Sequence, residues 1–64
     1  MDNSVRELRQ AEGLSQASLG TLLSVSRQTI NAIETGKYDP SLTLAIRLSR
    51  HYGRTIEEIF HVTD

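Results

Sequence analysis

Arg27, Gln28, Asn31 and Thr35 are the residues of this chain best suited to chemistry with a partner, and their spacing is helical. Setting Ser26 at zero and advancing roughly 100° per residue places Ile30 and Ile33 within about 60° of each other. Those two isoleucines define a buried side. Gln28 and Thr35 fall almost opposite, flanked by Asn31 and Ala32, with Arg27 at one edge near the start of the helix. Arginine and glutamine pair bidentately with guanine and adenine edges, and asparagine serves bases or phosphates. Ala32 is small enough for close approach or for contact with a thymine methyl. On that stretch alone, a solvated outer face is the plainer reading, so the elements around it must decide.

Other chemistries find little support. The chain has no cysteine, which excludes disulfides and thiolate metal sites. His51 and His61 have no matching acidic cluster, so no metal or cofactor is expected. Ser15, Ser26 and Ser41 precede apolar-periodic segments and read as helix caps, not nucleophiles. No Ser-His-Asp spacing can be argued, and no enzyme is expected.

The elements that must position the polar face lie in Gln16–Thr35, QASLGTLLSVSRQTINAIET. Leu19, Leu23, Val25, Ile30 and Ile33 make two short amphipathic helices joined by a tight turn. A polar helix face held out by a rigid corner is the device that enters a DNA major groove. Punctuation elsewhere predicts three further helices, giving an all-α domain of five. The first runs from Asn3 or Ser4 to about Glu12, with Ser4 and Glu7 spaced as a capping box, Val5, Leu8 and Ala11 apolar, and Gly13 as its stop. Ser15 caps the second, about 16–23, and Ser26 the third, about 27–35, ended by Gly36. Ser41 (or Asp39, with Pro40 at the first helical position) opens the fourth, to about His51, with Leu42, Ala45, Ile46, Leu48 and Tyr52 inward. Thr55 and Glu58 form a capping box for a short fifth helix containing Ile56, Ile59 and Phe60. No segment alternates with period two for long, so no strand is expected.

At 64 residues the chain is one domain, 1–64, near the lower limit for a self-sufficient core. No apolar run approaches the roughly 18 residues of a membrane span. The Met-Asp-Asn-Ser start shows no secretory signal, and a cytoplasmic location is expected. Seven basic against eight acidic residues give a formal charge of −1, unlike the basic balance usual for nucleic-acid binding. Diffuse attraction to DNA would then contribute little, and a small face must supply the specificity.

Gln16, Leu19 and Gly20, then Leu23, Ser24, Val25, Ser26, Ile30 and Ile33, then Glu34-Thr35-Gly36-Lys37, together resemble the Cro/C1-type helix-turn-helix family. The stretch SRQTINAIETGKYDPSLTLAIRL is similar to the small single-domain regulators of that family, and the resemblance runs from Val5 to Phe60. It departs in two places. The family usually has glycine in the turn where this chain has Ser24, and a charged residue where this chain has Leu22.

The resemblance implies a five-helix, lambda-repressor-like domain whose helix 27–35 enters the major groove. It implies base reading by Arg27 and Gln28, with Ala32 beside them. Ser15, Gln16, Ser26, Asn31 and Thr35 would set position on the DNA backbone, and Gln16 would also brace the recognition helix. Lys37 and Tyr38 leave phosphate contact and a plain loop role open. Arg9 and Glu34 match a structural salt bridge between helices one and three. Arg47, Arg50 and Arg54 read as solvated surface.

The function expected is sequence-specific binding of double-stranded DNA at a palindromic operator, as a transcriptional repressor. One recognition helix makes few base contacts, so a homodimer on two half-sites about 34 Å apart is expected. Its interface is placed at 56–64, where Ile59, Phe60 and Val62 exceed the apolar needs of a small core. The alternative is the antitoxin of a toxin–antitoxin pair, which would bind a toxin protein as well as its own operator. A helical interaction bundle with a solvated third helix is the remaining reading.

Overall fold

The computed structural model describes residues 1–62. Its order is β1 (Asp2–Asn3), α1 (Val5–Glu12), α2 (Gln16–Leu23), α3 (Arg27–Glu34), α4 (Leu42–Tyr52), α5 (Ile56–Ile59) and β2 (Phe60–His61). The fold is therefore helical, as expected, with one small addition. β1 and β2 pair antiparallel, Asp2 opposite His61 and Asn3 opposite Phe60, so the two ends of the described chain meet. Two-residue strands carry no alternation for a sequence to display.

Local capping sets most helix starts. The hydroxyls of Ser15, Ser26 and Ser41 accept from the amides of Ser18, Thr29 and Leu44 at 3.0, 3.1 and 3.2 Å. Thr55 accepts from the Glu58 amide at 3.1 Å while Glu58 accepts from the Thr55 amide at 2.9 Å, completing a capping box. The box expected at Ser4 does not form. Ser4 has φ −108° and ψ 20°, outside the extended geometry from which a cap hydroxyl reaches the third helical amide. Its backbone is instead committed across the molecule, its amide donating to the Ile59 carbonyl at 2.9 Å. Asn3 takes over locally, its Oδ1 accepting from the Val5 amide at 3.1 Å.

Val5, Leu19, Leu23, Ile30, Ile33, Leu44, Ala45, Leu48, Ile59 and Phe60 form the core. Two inward assignments change. Leu42 is 72% exposed and Leu44 is buried in its place. Residues two apart sit about 200° apart on a helix, so only one of the pair can face inward. Ala11 is also exposed, because the inner stripe of α1 runs through Val5, Leu8 and Arg9. Leu22 is a surface leucine.

Candidate nucleic-acid interface

The corner between α2 and α3 is built on close backbone contact. The Val25 amide donates to the Gly20 carbonyl at 2.8 Å. A Cβ on Gly20 would stand 2.6 Å from the Val25 carbonyl oxygen, so the approach requires glycine there. Ser24 ends α2 with φ 61°, a left-handed conformation that a side chain disfavours. Arg47, expected to be only solvated, donates from Nη1 to the Leu23 carbonyl at 3.3 Å and helps close that helix end.

α3 has two unlike faces. Inward, Ile30 and Ile33 are completely buried. Beside them the Glu34 side chain is fully inaccessible and collects donors from two other helices. Arg9 Nε lies 2.6 Å from Glu34 Oε2, and Arg9 Nη2 lies 3.2 Å from Oε1. Gln16 Nε2 donates to Glu34 Oε1 at 3.0 Å, and Arg6 Nε lies 3.5 Å from the same oxygen. The Arg9 side chain is only 11% exposed, and its Nη1 also donates to the Leu14 carbonyl at 2.8 Å. Burial alone would raise the Glu34 pKa. The hydrogen bonds from Arg9, Gln16 and Arg6 outweigh it and hold the carboxyl below its ordinary range. The bond to Glu34 correspondingly raises Arg9. This ion pair joins α1 to α3, and pairs so enclosed fix geometry more reliably than they add stability.

Outward, Arg27, Gln28, Asn31 and Thr35 are exposed and Ala32 is half-buried at the edge of the face. Among the described residues, Arg27 and Lys37 make no ion pair. Asn31 Oδ1 accepts from Gln16 Nε2 at 3.2 Å, which leaves its NH2 as the outward group. Thr35 follows α3 as its C-cap and turns its hydroxyl back onto the Asn31 carbonyl at 2.9 Å. The Ser26 hydroxyl, besides capping, lies 3.0 Å from that of Thr29, and Ser15 donates to the Ser18 hydroxyl at 2.9 Å. Gln16 directs its side-chain donor at Asn31 and Glu34. A phosphate contact from that side chain requires giving up one of these bonds.

The outer face holds hydrogen-bond donors on a helix that Arg9 and Gln16 brace from its inner side. His51 Nε2 pairs with Glu12 Oε2 at 2.6 Å, and His61 Nε2 lies 3.1 Å from the Glu58 carbonyl. Among the described residues no three His, Asp or Glu side chains form a metal-holding group. No helix among them is long and apolar enough to cross a membrane.

Comparison with known proteins agrees with this geometry. The Helix-turn-helix family model (HTH_3) matches residues 5–59. The chain belongs to the Cro/C1-type helix-turn-helix family. An uncharacterised HTH-type transcriptional regulator of Methanocaldococcus jannaschii is 48% identical over 64 residues, covering 100% of this chain and 97% of that protein. YgzD of Bacillus subtilis, an uncharacterised HTH-type transcriptional regulator, is 45% identical over 60 residues, covering 94% and 91% of the two chains. An uncharacterised HTH-type transcriptional regulator of Methanothermobacter thermautotrophicus is 49% identical over 61 residues, covering 94% and 88%. Membership implies DNA binding and transcriptional regulation, and the family is not one of enzymes.

Two further residues that hold α3 are not foreseeable from local sequence. Arg6 adds a third side-chain donor to Glu34, and Asn3 Nδ2 donates to the Ile33 carbonyl at 2.9 Å. Their helical and capping positions were readable, but their partners lie 28 and 30 residues away.

The interface residues expected for dimerisation need revising. Ile59 and Phe60 are core residues, at 0% and 7% exposure, so their apolar surface is already covered within one chain. These residues belong to the core cluster and close the space where α5 and β2 meet the other helices. Val62 is 72% exposed. Residues 63 and 64 of the expected region lie outside the described residues.

Proposed function

We propose that this protein is a transcriptional repressor that reads double-stranded DNA in the major groove through the outer face of α3. Arg27 and Gln28 contact base edges. Asn31, Thr35 and Lys37, with the N-terminal turns that start at Ser15 and Ser26, contact phosphates. The carrying observation is the contrast on α3 itself, in which every ionic group of the inner side is paired while Arg27 and Gln28 are exposed. Unpaired donors on a braced helix suit acceptors supplied from outside, and helix N-termini favour phosphate. Repression is preferred because occupying a site requires only the DNA-binding surface. The protein acts as a homodimer, since one helix supplies too few base contacts for specific affinity. Exposed Val62 is the apolar residue of the C-terminal segment available for that contact.

Selection of duplexes from a random pool, followed by footprinting and titration at several salt concentrations, tests this reading. The expected result is an enriched two-fold-symmetric site, with affinity falling steeply as salt rises. Failure to enrich any sequence would overturn it. Sedimentation at micromolar concentration tests the dimer, and a monomer independent of concentration would remove that part.

A further inference from the structure

A helix ends with carbonyls that have no partner inside the helix. In α3 one of them, the Ile33 carbonyl, accepts from the Gly36 amide at 3.0 Å and from Asn3 Nδ2 at 2.9 Å. The same Asn3 side chain accepts from the Val5 amide through Oδ1 at 3.1 Å. A single amide group therefore joins the first residue of α1 to the last turn of α3. Asparagine suits the position because it presents an acceptor and a donor on one short stem. Serine would satisfy the Val5 amide in the same local turn but cannot extend to Ile33.

Asn3 is itself held in place. It pairs with Phe60, a core residue, and the next amide, Ser4, bonds to Ile59. Its Nδ2 also lies 3.2 Å from the Met1 carbonyl, and that carbonyl packs 3.4 Å from where a Cβ on Gly36 would stand. The arm before α1 thus lies against the turn that follows α3. The Arg9–Glu34–Gln16 network braces the side of the helix, and Asn3 secures its C-terminal end.

We infer that Asn3 is a positioning residue for base recognition, fixing the angle at which α3 presents Arg27 and Gln28. The inference rests on the reading of α3 given above. Its test compares Asn3→Ser with Asn3→Ala on two duplexes, one selected from a random pool by the parent protein and one of shuffled sequence. Both titrations are run at a temperature where circular dichroism shows every variant folded. Serine keeps the local cap and loses the long bond, and alanine loses both. The expected result is a loss of about five- to tenfold on the selected duplex for Asn3→Ser, as large as for Asn3→Ala. Binding to the shuffled duplex stays within about twofold of the parent. Parent-like affinity in Asn3→Ser, or equal losses on both duplexes, would overturn the inference.

A second measurement does not depend on variants folding. Scalar coupling across the hydrogen bond between the Asn3 side-chain nitrogen and the Ile33 carbonyl carbon is expected in the free protein and in the complex with the selected duplex. Its disappearance on binding would overturn the positioning role. Arg27→Ala and Gln28→Ala serve as the controls for the underlying reading. If both bind the selected duplex like the parent, α3 is not the reading helix; if they lose affinity while Asn3→Ser does not, only the role of Asn3 falls.

Discussion

The two faces of α3 differ in what they leave unfinished. On the inner face Ile30 and Ile33 are buried, and the Glu34 carboxylate, its side chain inaccessible to solvent, accepts from Arg9, Gln16 and Arg6. On the outer face Arg27 has no ionic partner among the described residues. Arg9 and Arg27 make the contrast plain, the same side chain being used once to lock a helix and once held free. Small domains have little stability to spare. A reading face therefore works best when its own substitutions leave the core alone and when a separate network holds its angle. Variants can break that separation or sharpen it.

The largest effect is expected from Glu34→Ala. It leaves the Arg9 guanidinium enclosed without its counter-charge, and breaking such a pair costs about 3–5 kcal/mol. Chemical denaturation should show most of the stability of so small a domain gone. A loss below 1 kcal/mol would mean that the inner network is ornamental.

Gly20→Ala comes next. The added Cβ meets the Val25 carbonyl oxygen at 2.6 Å, backbone that cannot swing aside. Overpacking of this kind costs about 1–3 kcal/mol, read as a lower unfolding midpoint. A parent-like midpoint would show that the α2–α3 corner is softer than its geometry implies.

Acid should act on the inner face in a defined direction. The folded Glu34 pKa is depressed below the ordinary value of 4.5, so its contribution is present above that value. It is lost as pH falls through the lower folded value. Glu58, lowered by its Thr55 cap, adds to the same limb. Comparing thermal unfolding of the parent and Glu34→Gln between neutral pH and strong acid isolates the Glu34 part. The difference between them should shrink once pH drops below the ordinary range, and a constant difference would remove the linkage.

The smallest change is expected at Ser24. Its φ of 61° disfavours any side chain, and glycine there should add roughly 0.5–1 kcal/mol to stability. Thermal melting measures the gain, and destabilisation would mean that the serine side chain has a use in the turn.

How much could be read in advance follows from how local each cause is. Ser15, Ser26, Ser41 and Thr55 cap helices through amides three residues away, and such spacings are visible in a sequence. The buried and exposed sides of α3 follow from helical period together with the contrast between Ile30 and Ile33 and the polar residues opposite them. Leu42 and Leu44 could not be separated this way, because the period fixes their difference in angle and not which one the neighbours cover. Ser4 misled because its amide is drawn to Ile59, at the far end of the chain. Ile59 and Phe60 are surplus only while the chain ends stay unpaired: α5 buries Ile59, and the β1–β2 pairing sets Phe60 over the core. Within the site, the part of Arg9 and Glu34 came from family resemblance and not from spacing. Arg6 and Asn3 carried no local signal for their long-range partners.

The central claim is that reading and bracing on α3 are separable. It is tested most directly by measuring affinity and unfolding midpoint together on Arg27→Ala and Gln28→Ala, using the duplex selected by the parent. Each variant is expected to lose about 1–3 kcal/mol of specific binding while its midpoint stays close to the parent's. Parent-like binding by both variants, or a fall in midpoint that accounts for the lost affinity, would contradict it.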